Sequence, residues 1–209
     1  MGSVKLNLGC GRQVVEGWVN VDYALGARFA QIPLFSLLNK KLRFFRSNWD
    51  RRILIHDLRC RFPFEDSTVD VIYTSHTLEH FTREEGLRFL KECHRVLKPN
   101  GIIRVLVPDL ETFVAKYING GMPANEFVEH LGVLGCGTDG GLIRKSVTPW
   151  LSFPHKCMYD AKTLIKVMKD IGFRVEKREA FDSDVENIEK IEIESRTLQA
   201  VIVEGGRTI

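Results

Sequence analysis

Lys5-Leu6-Asn7-Leu8-Gly9-Cys10-Gly11-Arg12-Gln13 runs a short apolar segment straight into a Gly-x-Gly turn. Val19-Asn20-Val21-Asp22 follows closely, a second apolar run ending on a carboxylate. In an open α/β sheet, ligands sit beyond the carboxyl ends of the strands where strand order reverses, and the turn after the first strand is the usual place. Glycine there lets the backbone turn tightly and approach a ligand closely. An acidic residue ending the second strand can take both hydroxyls of a ribose. Gly9, Gly11 and Asp22 supply those parts. Two features do not fit a standard dinucleotide turn. The third glycine of G-x-G-x-x-G is replaced by Val14. The distance from Gly9 to Asp22 is also short by about two helical turns, because a crossover between parallel strands normally takes a dozen residues or more.

Outward from this stretch, strand and helix signals alternate. Val4–Leu8, Trp18–Val21, Ile53–Ile55, Val69–Thr74, Ile102–Val107, Phe173–Ala180 and Leu198–Val203 read as strands. Thr82 and Glu85 form a T-x-x-E capping box, and Phe89, Leu90, Cys93, Val96 and Leu97 repeat at helical spacing before Lys98-Pro99-Asn100-Gly101. Asp109 is positioned to cap a helix over 110–118, a further helix is expected near 123–133, and Asp160 caps a last one that ends at Gly172. Residues 24–52 form a helical, basic, aromatic-rich connector, and Asp182–Ser195 an acidic one that adds strand around Ile191 and Ile193. The pattern predicts an α/β fold, mainly parallel, with helices on both faces and an antiparallel final pair.

The 209 residues are 44% hydrophobic and 27% charged, which suits a single domain over 1–209. A net charge of +3 does not point to nucleic acid. No apolar run is long enough to span a bilayer, and no basic-then-apolar leader opens the chain. Five cysteines without a C-x-x-C pair fit reduced thiols in the cytoplasm.

The ordered motifs resemble those of the class I S-adenosylmethionine-dependent methyltransferases, in their type 11-like, small-molecule branch. The carrying segments are Leu6–Gly11, Val19–Asp22, His56-Asp57-Leu58 with Phe62–Asp66, Val69–His80 and Glu92–Gly101. The resemblance implies a Rossmann-like seven-stranded sheet, mainly parallel with an antiparallel last strand, and S-adenosylmethionine as cofactor. By the same resemblance, Asn7, Gly9, Cys10 and Gly11 belong to the cofactor turn, with Gly9 and Gly11 lining the methionine part. Asp22 would bind the ribose hydroxyls, Asp57 and Leu58 the adenine, and Ser75 and His76 would border the sulfonium end. Asn7 departs from the family's acidic residue and Gln13 from its third glycine. The 24–52 connector is expected to rebuild part of the pocket.

The implied reaction is in-line displacement of the sulfonium methyl by an acceptor, in which positioning supplies much of the rate. A general base is required only when the acceptor loses a proton. His76, His155 and Asp109 are the candidates, in that order. The acceptor is expected to be a small molecule or glycan-type group held by a cap over 110–160. Two further readings remain open at this level: a binding or regulatory protein that has lost transfer, motivated by Asn7, Gln13 and the short crossover, and a nicotinamide oxidoreductase, which Asp22 would also suit.

Other stretches carry two readings each. His76-Thr77-Leu78-Glu79-His80 spells the H-x-x-E-H zinc signature, but it directly follows a buried strand, and no metal is expected. Leu134–Gly140 is a better glycine motif than the first, yet no strand precedes it, so it reads as a lid or substrate loop. The basic run Lys40–Arg52 reads either as a solvated face or as a contact for an acidic substrate, a phosphate or a membrane surface, the last through 29–52.

Overall fold

The fold is described from a computed structural model for residues 2–32, 49–132 and 154–208. The expected lid loop at 135–141 and most of the basic run at 40–52 lie outside these residues. In chain order come β1 (Lys5–Leu8), β2 (Val19–Asp22), α1 (Leu25–Ala30), β3 (Leu54–Ile55) and β4 (Val69–Ser75). A single 3-10 turn (Leu78–His80), α2 (Arg83–Val96), β5 (Leu97–Pro108), α3 (Leu110–Ile118) and α4 (Ala124–His130) follow. The chain closes with α5 (Ala161–Ile171), β6 (Phe173–Lys177), a second 3-10 turn (Ile188–Lys190), α6 (Glu194–Thr197) and β7 (Ala200–Arg207).

The seven strands pair in the order β3-β2-β1-β4-β5-β7-β6. The first five in this order are parallel, and β7 runs antiparallel to both β5 and β6. The order reverses between β1 and β4, so the crevice for a ligand opens there, beyond Leu8 and Ser75.

Alternation along the strands divides the core in two. Leu6, Leu8, Ile72, Ile103, Val105 and Val203 face α2 and α5, whose stripes are Phe89, Leu90, Cys93 and Val96, and Leu164 and Met168. The helix ends follow the sequence signals. Thr82 Oγ1 accepts from Glu85 N, and Glu85 Oε2 accepts from Thr82 N at 2.8 Å. Asp160 Oδ1 accepts from Thr163 N at 2.7 Å, and Gly172 leaves α5 with φ of +115°.

On the other face, Val71, Tyr73, Leu106 and Ile202 pack against Val185, Ile188 and Ile191 of the acidic connector. That connector does not add the strand expected around Ile191 and Ile193. Ile191 N and Glu192 N both donate to Ile188 O, so the backbone is turned in on itself. The reason is an ion cluster beneath it. Arg104 on β5, fully buried, donates Nε and Nη2 to Glu192 and Nη1 to Glu204 at 2.7–2.9 Å. It also donates to the carbonyls of Asp182 and Glu179. All five guanidinium donors are used, and the connector is clamped to the sheet rather than added to its edge.

The last two strands shift relative to expectation. β6 ends at Lys177, and β7 continues through Gly205 and Gly206 to Arg207. A Cβ on Gly205 would stand 2.0 Å from Arg174 O, so the glycine here marks close strand approach rather than a chain break.

No crossover helix joins β1 to β2. Turns fill the gap, with Gln13 N donating to Cys10 O and Trp18 N to Val15 O. Asn20 holds them: its Oδ1 accepts from Val15 N and from Asn7 Nδ2, both at 3.0 Å, and its Nδ2 donates to the carbonyls of Val15 and Trp18. Asn7 Nδ2 also donates to Gln13 O at 3.0 Å, and Gln13 Nε2 donates to Ile191 O. Trp18 packs edge-on against Tyr73, with ring centroids 6.4 Å apart. A side-chain amide network and one tryptophan thus replace the missing helix.

Candidate functional site

A cavity of about 540 Å³ opens at the carboxyl ends of β1, β2, β3 and β4, a size ordinary for a small-molecule site. Gly9, Gly11, Asp22, Asp57, Leu58, Ser75 and His76 line it. Seven of the cofactor residues expected from sequence are therefore brought together. Asn7 and Cys10 are not among the lining residues. Asn7 is committed to the turn network, and the Cys10 side chain packs behind the loop against Ala27 and Ile53. Burial, reinforced by Asp22, pushes the Cys10 thiol up to about 12, so it stays protonated.

Gly9 has φ of +72°, and a Cβ there would fall 2.0 Å from Thr77 Oγ1. The turn and the end of β4 can approach this closely only with hydrogen at that position. Asp22 is fixed by two backbone amides: Gly11 N donates to Oδ2 and Ala24 N to Oδ1, each at 2.7 Å. Its carboxylate accepts from the Gly9–Gly11 turn and from the start of α1, and keeps lone pairs for a diol. Asp57 forms a two-pronged pair with Arg59, Nε to Oδ1 at 2.9 Å and Nη2 to Oδ2 at 2.6 Å. That contact holds its carboxyl below the usual range, against the opposing effect of partial burial.

Among the lining residues that the sequence analysis did not name for the site are Gly26, Trp49, Lys156 and Arg196. Gly26 on α1 lies against Trp49, whose indole Nε1 would be 2.0 Å from any Cβ added there, so the two rebuild the pocket wall from opposite ends of the 24–52 connector. Lys156 precedes α5, with Nζ 3.5 Å from Glu85 Oε2. Arg196 on α6 reaches the turn, its Nη2 standing 3.7 Å from where a Gly11 Cβ would be. Among the described residues no carboxylate pairs with Arg196. It lies in an acidic connector, and contacts with residues far away in the chain (Arg104, Gln13 and His76) place it, so no local signal announces it.

The three general-base candidates separate. His76, at φ of +53°, lines the cavity. Its Nε2 donates to Arg196 O at 2.9 Å, and its Nδ1 is 3.3 Å from Glu79 Oε1. Burial lowers its proton affinity, but Glu79 and the Arg196 carbonyl outweigh this and leave it raised. His155 lies behind His76, with Nδ1 on Leu131 O at 2.9 Å and Nε2 4.0 Å from Glu79 Oε1; burial lowers its proton affinity despite Glu79. Asp109 does not line the cavity. It caps α3, accepting from Glu111 N at 3.0 Å and Thr112 Oγ1 at 2.8 Å.

Residues 6–105 match the methyltransferase-domain family. That segment is a little under half of the chain, and over it the chain is similar to S-adenosylmethionine-dependent methyltransferases. A Mycolicibacterium smegmatis protein named a probable S-adenosylmethionine-dependent methyltransferase is 32% identical over 68 residues, which is 32% of this chain. The chain spans about a quarter of that relative's length, 26%. Among solved structures, a Pyrococcus horikoshii protein aligns with all of this chain and 83% of its own, at TM-score 0.55 and 20% identity. A methyltransferase from Methanosarcina mazei aligns with 100% of this chain and 95% of its own, at TM-score 0.54 and 16% identity. At these identities the structural matches establish the fold: a class I methyltransferase sheet with its short first connection rebuilt from side chains.

Proposed function

We propose that this chain is a class I methyltransferase that binds S-adenosylmethionine in the cavity and transfers its methyl group to a small-molecule or glycan-type acceptor. The observation that carries this is the joint placement of the Gly9–Gly11 turn, the amide-held Asp22 carboxylate and the Ser75–His76 strand end around one space. These residues fit the cofactor. The cradle at Gly9 is one a Cβ would fill, and Asp22 is an oriented acceptor for a ribose diol. Leu58 offers an apolar wall and Asp57 an acceptor for an adenine amino group. Arg196, beside Gly11 and without a carboxylate partner among the described residues, suits the methionine carboxylate. When bound, the cofactor supplies an electrophilic methyl on a sulfonium.

The protein's part is to orient, exclude water and accept charge. Arg59, Lys156 and Arg196 line the same space, the first two beside Asp57 and Glu85 and the third placed for the methionine carboxylate, so the cavity does not select an acceptor by charge. Of the three base candidates, His76 is the one on the cavity wall. A single domain over 1–209 and an acceptor cap within 110–160 are parts of the same proposal; 133–153 lie outside the described residues. Among the described residues no helix is long and apolar enough to cross a membrane, and Cys10, Cys60, Cys93 and Cys157 are free thiols. A cytoplasmic location is part of the same proposal and is supported by the free thiols.

The Asn7 and Gln13 departures occupy the rebuilt connection rather than the cavity lining, so they give no support to loss of transfer. Calorimetric titration with S-adenosylhomocysteine, and in parallel with NAD, tests the assignment. Saturable binding of the first with Asp22→Ala weakening it by at least tenfold is expected. Binding of NAD alone would replace the assignment with an oxidoreductase. S-adenosylhomocysteine binding without turnover on any of a broad panel of anionic, hydroxyl and amine acceptors would favour a binding protein.

A further inference from the structure

Glu79 is fully buried, and beyond the 3.3 Å approach of His76 Nδ1 to Oε1 its carboxylate oxygens have no hydrogen-bond partner among the described residues. An ionised carboxylate left this way is costly unless a positive centre meets it. The groups facing it are imidazoles. Three ligand atoms, one each from Glu79, His80 and His155, lie within 4.8 Å of one another. We infer that these three residues bind one divalent transition-metal cation at the acceptor edge of the cavity.

The H-x-x-E-H signature does not make this site in the way its spacing suggests. Residues 78–80 form a 3-10 turn, so His76 and His80 do not share one face of an α-helix. The third ligand comes from a distant segment instead. Lys156 N and Cys157 N donate to Glu79 O at 2.8 and 3.1 Å, which fastens the strand of chain bearing His155 against Glu79. The rings of His80 and His155 then stand 5.0 Å apart, edge to face.

The imidazole of His155 is set up as a ligand. Its Nδ1 faces Leu131 O at 2.9 Å, and a carbonyl can only accept, so Nδ1 carries a proton and Nε2 is left to face Glu79. Metal-bound histidines are oriented in this way by a carbonyl on the far nitrogen. Gly132 makes room for it: its φ is +65°, its carbonyl accepts from His155 N, and a Cβ there would stand 2.5 Å from His155 Nδ1. His76, with Nε2 on Arg196 O and Nδ1 beside Glu79, stands as an outer neighbour of the same carboxylate.

Two imidazole nitrogens and one carboxylate favour Zn²⁺, Mn²⁺, Fe²⁺ or Co²⁺ over the oxygen-seeking Mg²⁺ and Ca²⁺. Ligands about 2.1 Å from one tetrahedral ion lie about 3.4 Å apart, so closure takes side-chain movements of about one to one and a half ångströms. His80 lines the cavity, so the ion would have a face open to the acceptor. Taken with the methyl-transfer proposal, on which this clause alone rests, the substrate class is an acceptor with a hydroxyl or phenol oxygen. A neighbouring dication lowers the pKa of that oxygen. The proton passes to water, and the O–C bond forms as the C–S bond of the sulfonium breaks.

The test uses the full chain stripped with EDTA and titrated calorimetrically with ZnCl₂, MnCl₂ and MgCl₂. Co²⁺ visible absorption reports the ligand set. The expected result is saturation near one equivalent for Zn²⁺ or Mn²⁺, with Mg²⁺ much weaker. Glu79→Gln and His155→Gln should each weaken binding by at least about tenfold while the S-adenosylhomocysteine thermal shift persists, which also shows that each variant is folded. Absence of saturable binding at millimolar ion, or unchanged affinity in a variant that keeps the thermal shift, overturns the inference. Should Glu79→Gln fail to fold, the partly exposed His155→Gln decides alone. Metal binding by a protein that ignores S-adenosylhomocysteine would sink the transferase proposal and leave the metal site standing. The reverse result would do the opposite.

Discussion

Replacing Arg104 with methionine should cost more than any other single change outside the apolar core. The guanidinium makes three bonds to carboxylate oxygens of Glu192 and Glu204 and two to carbonyls, with all three side chains essentially sealed from water. Methionine fills much of the same volume but leaves two buried carboxylates facing each other. Glu192 would keep only Phe181 N, and Glu204 would keep Asp184 N and Ser183 Oγ. Breaking such a pair by removing one partner costs about 3–5 kcal/mol. For a chain of this length that is a fall in Tm of roughly 6–20 °C. The same change frees the connector that carries α6, so S-adenosylhomocysteine affinity should fall too, because Arg196 and the carbonyl holding His76 move with it. Urea denaturation with the m-value monitored reads the first effect, and calorimetric titration the second. The triple variant Arg104→Met, Glu192→Gln, Glu204→Gln removes all three charges and should recover at least half of the lost stability. A single variant within about 1 kcal/mol of the parent, at unchanged m-value, would refute the clamp.

Gly9→Ala should abolish S-adenosylhomocysteine binding, since it adds about 1–2 kcal/mol of left-handed backbone strain to a 2.0 Å collision with Thr77 Oγ1; a calorimetric affinity within a factor of three of the parent would reject the cradle. Asn7→Asp, which restores the family's acidic residue, should destabilise by at least about 1–3 kcal/mol: it turns a donor facing Gln13 O and Asn20 Oδ1 into a third acceptor, and equal Cm values in urea would count against the network. His94, whose Nε2 has no hydrogen-bond partner among the described residues, has its proton affinity lowered by burial and by Arg207, against the Gly172 backbone contact. The folded state therefore binds this proton less readily than the unfolded one. The corresponding stability is present above the ordinary histidine value near 6.5 and lost as pH falls below it. Between pH 7.5 and 5.5, Tm should fall less in His94→Gln than in the parent, and an identical fall would exclude the histidine as a cause.

The sequence by itself determined what is local. Strand runs such as Val69–Ser75, the Thr82–Glu85 box, the Asp109 and Asp160 caps and the Gly172 stop are each written within a few residues, because capping and periodicity are short-range interactions. The placing of Gly9, Gly11 and Asp22 at one edge followed, since parallel strands deliver their ends there, whereas Asp57, Ser75 and His76 came from the family resemblance; all six line the cavity. The tertiary structure alone decided what depends on groups far apart in the chain. Asn7 and Gln13, which looked like defects in KLNLGCGRQ, are the ties of a connection without a helix, visible only once Asn20 and Ile191 stand beside them. The connector at 182–195 turned away from strand because a buried arginine on β5 needed its carboxylates and carbonyls more than the sheet edge needed another ladder. His155 reached Glu79 through backbone bonds between segments more than a third of the chain apart. No window of sequence contains both ends of such contacts, and their energy depends on burial, which exists only after the chain has folded.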